Sequence, residues 1–252
     1  VSASRPHHYG ELIRRWRAVA RAAGLKMTRI AEAAGDPLFA IKSPALGASD
    51  GIYISAGIHG DEPASCEALI AWAEKHQRRL ARWPLLLLPC LNPWGLRNNI
   101  RLDADGVDLN RNFRRDDHPV IAGVKRAVAP HQFEVAVMLH EDYDGEGYYL
   151  YEIKRPLPFW GEDLLQCAAR HLPLDPRKAI DGRKAVHGLI RRRFDRAIFE
   201  RIGFPEAIWL HDEHAHRALT IEAPSEFALD LRVRAHIAVI EECVRRVVSP
   251  RA

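Results

Sequence analysis

The chain has 252 residues, 47% of them apolar and 28% charged, and a formal net charge of +4. That balance excludes a disordered or fibrous chain and fits a soluble globular protein large enough to bury a sizeable core. No stretch approaches about 18 apolar residues, which argues against a membrane span, and the arginines (Arg191–Arg193, Arg245–Arg246) lack the interleaved aromatics of a nucleic-acid surface.

Apolar positions at Leu12, Ile13, Trp16, Val19 and Ala20 predict a helix over 9–23, ended at Gly24. Residues 25–33 and 38–42 read as two short strands joined by the turn Gly35-Asp36-Pro37. Ile52 to Ala56 is a buried-strand run that stops at Gly57, and Pro63 opens a helix to about Leu80. Leu85 to Cys90 is a continuous apolar run, expected of a strand buried on both faces. Asn92-Pro93-Trp94-Gly95 breaks it, and 96–118 reads as a long polar loop, a feature that in compact domains is usually functional. A short helix over 119–129 precedes a strand at 134–139, which delivers His140 at its end. A strand at Tyr148–Ile153 and a helix at 161–171 follow, then an ambiguous stretch, 173–204, with a basic helix near 191–200. Ala207–Leu210 and Ala218–Ile221 read as strands, and a helix over 226–247 closes the chain. Helices alternate with strands, and no linker or repeat intervenes. The expectation is one α/β domain over residues 1–252, with a mixed, mostly parallel sheet covered by helices on both faces.

Cys66, Cys90, Cys167 and Cys243 form no CxxC pair and read as reduced thiols in a reducing compartment, the cytoplasm. The start of the chain has no apolar core of signal-peptide type, so export is disfavoured rather than ruled out.

The chemistry concentrates at strand ends. In Gly57-Ile-His59-Gly-Asp-Glu62-Pro an imidazole and a carboxylate occupy a tight turn at the carboxyl end of a strand, where open α/β sheets build their sites. A catalytic zinc takes three nitrogen or oxygen ligands and keeps one position open. His59 and Glu62 offer two, although the same pair also fits a helix cap beside a surface histidine. His140 offers a third, with a satisfied core histidine as the competing reading. Glu222, in Leu219-Thr-Ile-Glu-Ala-Pro, ends another apolar run. An unpaired carboxylate there is costly, so it is either a general base beside a metal site or half of a salt bridge. In Asp108-Leu-Asn110-Arg111-Asn-Phe, the arginine provides a planar fork for a carboxylate and the asparagine an amide donor. Arg101 is placed to face a carbonyl oxygen on which charge develops.

Together these residues resemble the carboxypeptidase A-like zinc metallocarboxypeptidases. The likeness runs through Gly-Ile-His59-Gly-Asp-Glu62-Pro, Asn92-Pro93-Trp94-Gly95, Arg101, Gly106-Val-Asp-Leu-Asn110-Arg111-Asn-Phe, His140 and Thr-Ile-Glu222. It implies a twisted mixed eight-stranded sheet between helices and one zinc ion on His59, Glu62 and His140. It also implies a polarising Arg101, a carboxylate clamp of Asn110 and Arg111, and Glu222 as catalytic glutamate. The short spacing from Glu62 to His140 is closer to compact bacterial members, near the murein peptide amidases and the related aspartoacylase and succinylglutamate desuccinylase branch. The digestive members' mobile tyrosine has no counterpart, since no tyrosine follows Tyr151. His214 or His216 is a candidate replacement, and surface loop histidines are the competing reading. Asp61 is expected to orient the ligands rather than join them.

The expected activity is zinc-dependent release of a C-terminal amino acid from a peptide with a free carboxylate, a cell-wall-type peptide being one such substrate. No nucleic-acid or membrane partner is expected. The alternative enzyme is an N-acyl amino acid deacylase of the aspartoacylase type. From another class, the alternative is a non-catalytic carboxylate- or metal-binding protein. Specificity is expected to come from 155–215, where Arg177, Arg183, Asp212 and Glu213 are each able to select a charged side chain, and a second metal near Asp142 or Asp144 is left open.

Overall fold

The computed structural model describes residues 7–48 and 50–249. Residues 1–6, 49 and 250–252 of the expected 1–252 domain lie outside the described residues. In chain order the elements are α1 (Tyr9–Ala23), β1 (Lys26–Ala33), β2 (Asp36–Lys42), β3 (Gly51–Ser55), α2 (Pro63–His76), β4 (Leu85–Leu88) and α3 (Pro93–Asn98). There follow α4 (Pro119–Val128), β5 (Phe133–Asp142), β6 (Tyr149–Lys154), α5 (Gly161–Ala168), β7 (Ala179–Ile180), β8 (Arg183–Lys184) and β9 (Leu189–Arg191). The described chain ends with α6 (Arg196–Ile202), α7 (Glu206–Glu213), β10 (Arg217–Pro224) and α8 (Leu229–Val248).

Eight strands form one mixed sheet in the order β1-β2-β4-β3-β5-β10-β6-β9, and β7 and β8 make a separate hairpin. The central pairs β4–β3, β3–β5 and β5–β10 are parallel, as the continuous apolar runs require of strands buried on both faces. Side chains alternate across the sheet. Ile52, Ile54, Leu85, Leu87, Val135, Val137 and Leu219 pack under α1, α2, α5 and α8. Tyr53, Leu86, Leu88, Ala136, Met138 and Ala218 pack under α4 and α7. The eight-stranded sheet between helical layers is the architecture expected from the sequence.

Two expectations are corrected. Residues 207–210 are not a strand but part of α7, whose side chains from Glu206 to His211 are all buried. A short apolar run buried on every side carries no period, so a strand and a core helix look alike in it. Pro205 at the N-cap and the Trp209 indole N–H bonded to Glu213 four residues on are the local marks of helix. Residues 96–118 are also less irregular than expected. Asp103 Oδ1 accepts the N–H groups of Asp105 and Val107, and its Oδ2 meets His118 Nε2 at 2.9 Å. Asp103, Asp105 and His118 therefore act as the internal tie of this loop. Among the described residues no helix is long and apolar enough to cross a membrane, and all four cysteines are free thiols.

Candidate active site

The turn after β3 has its shape forced by two glycines. Gly57 has φ +61°, and a Cβ on it would meet Cys66 Sγ at 2.5 Å. A Cβ on Gly60 would lie 1.9 Å from the backbone of Gly95, so the turn can rest on α3 only without side chains at that contact. Glu62 is the N-cap residue of α2, and Pro63 fills the first helical position, where no N–H is needed. The turn is buried, and it aims His59 Nδ1 at Glu62 Oε1, 2.5 Å away.

Strand pairing brings the remaining groups to it. β5 lies beside β3, and His140 near its carboxyl end places Nδ1 2.9 Å from Glu62 Oε2. The two imidazole rings are 5.0 Å apart between centroids. β10 pairs with β5 in a register that sets Glu222 directly beside His140, and with β6 in one that sets it beside Tyr149. By alternation His140, Thr220, Glu222, Tyr149 and Tyr151 share the face covered by α4 and α7.

The loop after α3 supplies the cations. The Asn92 side chain caps α3 by accepting from the Gly95 N–H and donates to the carbonyls of Arg101 and Leu102. That tie fixes the backbone at Arg101, whose guanidinium donates to Asp108 Oδ2 at 3.1 Å and lies 3.6 Å from Glu62. Asp108 Oδ1 is 3.3 Å from His59 Nε2, so one carboxylate joins the histidine to the arginine. Asn110 is buried, and its Oδ1 accepts the Glu206 N–H at the start of α7, which leaves its NH2 group to donate elsewhere. Arg111 stands at the exposed rim.

All seven residues singled out in the sequence, His59, Glu62, Arg101, Asn110, Arg111, His140 and Glu222, line one cavity of ≈ 220 Å³. A larger hollow of ≈ 470 Å³ near Trp72 and Trp83 holds no comparable set of groups.

The charges in the cavity are coupled. Burial would push Glu62 up, but His59 and His140 against it hold its carboxyl well below the usual range. Burial would likewise depress His59, yet the Glu62 charge and the Asp108 contact raise it to about 9. A field that favours a charged imidazole favours any cation at that point. Donor atoms of His59, Glu62 and His140 lie within 4.8 Å of one another. Two imidazoles and a carboxylate converging in this way fit a zinc-type site, with Asp108 behind His59 as the supporting partner. Glu222 differs from the others. It has no ion-pair partner among the described residues, so the salt-bridge reading fails, and burial, partly offset by His140, pushes its carboxyl up to about 8.

Three expectations about the surroundings are overturned. His214 and His216 pair through their backbones with Phe133, the first residue of β5. His140 is seven residues further along that strand, about 23 Å away at ~3.3 Å per residue, so neither histidine reaches the cavity. Asp61 does not orient the ligands: its backbone carbonyl accepts from Tyr143, and its buried Oδ1 has no partner, while Asp108 takes the supporting place. Of the four proposed specificity residues, Arg177 is bound to Asp175, Asp212 pairs with Arg196, Glu213 takes the Trp209 indole, and Arg183, on β8, does not line the cavity. The charged side chains from that region that line the cavity are Asp181 and Arg192, with Tyr149 and Tyr151 between them and Glu222. The two-residue spacing of the tyrosines was visible in the sequence, but their place beside Glu222 depends on the antiparallel pairing of β6 with β10.

Comparisons with known proteins agree with this picture. Residues 48–136 match the succinylglutamate desuccinylase/aspartoacylase catalytic domain. Murein peptide amidase A of Escherichia coli K12 is 40% identical over 79 residues, which are 31% of this chain and 31% of that protein. The matched segment thus spans about a third of the length of that curated relative. By fold, a candidate metallopeptidase of Shewanella amazonensis SB2B superposes with TM-score 0.83 at 19% identity, covering 96% of this chain and 94% of that one. A metallo-carboxypeptidase from Burkholderia cenocepacia gives TM-score 0.66 at 14% identity, covering 93% and 67%. The resemblance to the zinc carboxypeptidase-like family therefore holds over residues 48–136, which carry His59 to Arg111, and in the fold, while His140 and Glu222 lie beyond the matched segment.

Proposed function

We propose, from this likeness and from the site, that the protein is a zinc-dependent metallocarboxypeptidase, a single catalytic domain of the cytoplasm that releases the C-terminal amino acid of a peptide. The observation that carries the reading is the convergence on one cavity of a metal donor set, a carboxylate and a guanidinium that have no ion-pair partner among the described residues, and a buried amide. Murein-type peptides are the first class to test, because the curated relative is a murein peptide amidase.

His59, Glu62 and His140 would hold one zinc ion, which when bound supplies Lewis-acid chemistry, acidifying water and polarising a carbonyl. Glu222 faces the same space without an ion-pair partner among the described residues, takes the proton of the attacking water and delivers it to the leaving amine. Arg101, held by Asp108, stabilises the oxygen on which negative charge develops. Arg111 and the free amide of Asn110 grip the carboxylate of the leaving residue.

The clamp gives the test. A peptide with a free C-terminal carboxylate is expected to be cleaved with kcat/KM roughly 100-fold above that of its C-terminal amide, the scale of a lost charge-assisted bond. Arg111→Gln is expected to bring the two substrates level. Equal turnover of acid and amide by the unmutated protein would contradict the reading.

The domain match over residues 48–136 favours a second reading, an N-acyl amino acid deacylase. It uses the same ligands, base and clamp and differs only in the acyl group released.

A further inference from the structure

Glu62 stands at the N-cap of α2, where a side chain ordinarily accepts the N–H of the second or third helical residue. It makes no such bond, because its two oxygens face His59 and His140. Pro63 has no N–H, so the first orphan donor of the helix belongs to Ala64, which is buried. A buried N–H without an acceptor is costly, so another residue has to satisfy it.

That residue is Glu141. It follows His140 on β5, and alternation along the strand sends the two side chains to opposite faces of the sheet, His140 into the cavity and Glu141 between α2 and α8. Glu141 Oε1 accepts the Ala64 N–H, and Oε2 pairs with Arg232 near the start of α8. The Glu141 side chain is completely buried, and its carboxylate meets the positive end of α2. One carboxylate thus ties the strand that carries His140 to the helix that begins at Glu62.

The backbone of the turn is pinned independently. The Ser65 hydroxyl donates to the Glu62 carbonyl at 2.6 Å and accepts the Gly57 N–H at 3.1 Å. What remains free to move is the Glu62 side chain, and its alternatives are the two imidazoles or the Ala64 N–H of its own helix. Glu141 occupies the second of these.

We propose that Glu141 is a positioning residue that caps α2 in place of Glu62 and thereby keeps the Glu62 carboxylate turned to the metal. The proposal rests on the reading of His59, Glu62 and His140 as the metal ligands.

The test measures zinc affinity by chelator competition, and the melting temperature of the metal-free protein, in Glu141→Ala and Glu141→Gln. Glu141→Ala removes the acceptor and is expected to lower zinc affinity by about 10- to 100-fold, the range for a group that orients a ligand, with turnover returning at saturating zinc. Glu141→Gln keeps an acceptor of the same reach and should retain more of the affinity. A role confined to the fold would lower the metal-free melting temperature and leave the zinc affinity of the folded protein unchanged. Where Glu141→Ala does not fold, Glu141→Asp takes its place. It keeps the charge for Arg232 but falls short of Ala64, so its zinc affinity should lie below that of Glu141→Gln. Unchanged affinity in Glu141→Ala, or a loss in Glu141→Gln as large as in Glu141→Ala or Glu141→Asp, overturns the proposal and leaves the metal site standing. Failure of the unmutated protein to bind zinc removes the metal site itself, and the proposal with it.

Discussion

Glu222→Gln is expected to lower turnover by about 10²- to 10⁴-fold, the contribution of a positioned general base, while metal stays bound at about one equivalent. The substitution keeps the shape and removes the proton acceptor. No cation among the described residues forms an ion pair with Glu222, and burial, partly offset by His140, pushes its carboxyl up to about 8. Gln at this position therefore breaks no ion pair, and a fall in activity reports the chemistry rather than unfolding. The check is single-turnover hydrolysis alongside metal content on the same sample. Normal hydrolysis by the mutant would remove Glu222 from the mechanism.

His140→Ala is expected to lower zinc affinity by at least about 100-fold, with activity lost in parallel. Even partners outside the coordination sphere typically contribute 10- to 100-fold, and a direct ligand contributes more. Asp108→Asn, which weakens only the support behind His59 Nε2, should fall inside that lower range, and its activity should return at high zinc. Chelator competition on the purified variants measures both. Unchanged zinc affinity in His140→Ala would mean that the metal sits elsewhere, and equal losses in the two variants would remove the distinction between ligand and support.

The parts of the site that were legible in the sequence share a physical cause. His59, His140 and Glu222 each follow an apolar run, and in an α/β sheet the ends of parallel strands collect at one edge. Asn110 and Arg111 were legible because a polar loop dense in arginine and aspartate has to be tied internally, as Asp108 and Asp103 tie it. Groups brought in by lateral neighbours were not legible. Tyr149, Tyr151 and Arg192 reach the cavity because β6 pairs antiparallel with β10 and β9 pairs beside it, and no local pattern encodes that register. His214 and His216 misled for the same reason. They are close to Glu222 in sequence but precede β10, and a strand separates its two ends by its full length. Residues 207–210 failed differently, because a segment buried on all sides shows no polar face to set its period.

The central claim is that a metal-loaded His59–Glu62–His140 site cleaves the bond that joins a carboxylate-bearing residue to a peptide. The most direct measurement is mass spectrometry of the products formed by the zinc-loaded protein from an equimolar mixture of short peptides, murein-type tripeptide included, and N-acetyl and N-succinyl amino acids. The account predicts peptides shortened by one residue and the matching free amino acid, with N-acyl amino acids left intact. Acetate or succinate released while every peptide stays whole would contradict it and select the deacylase.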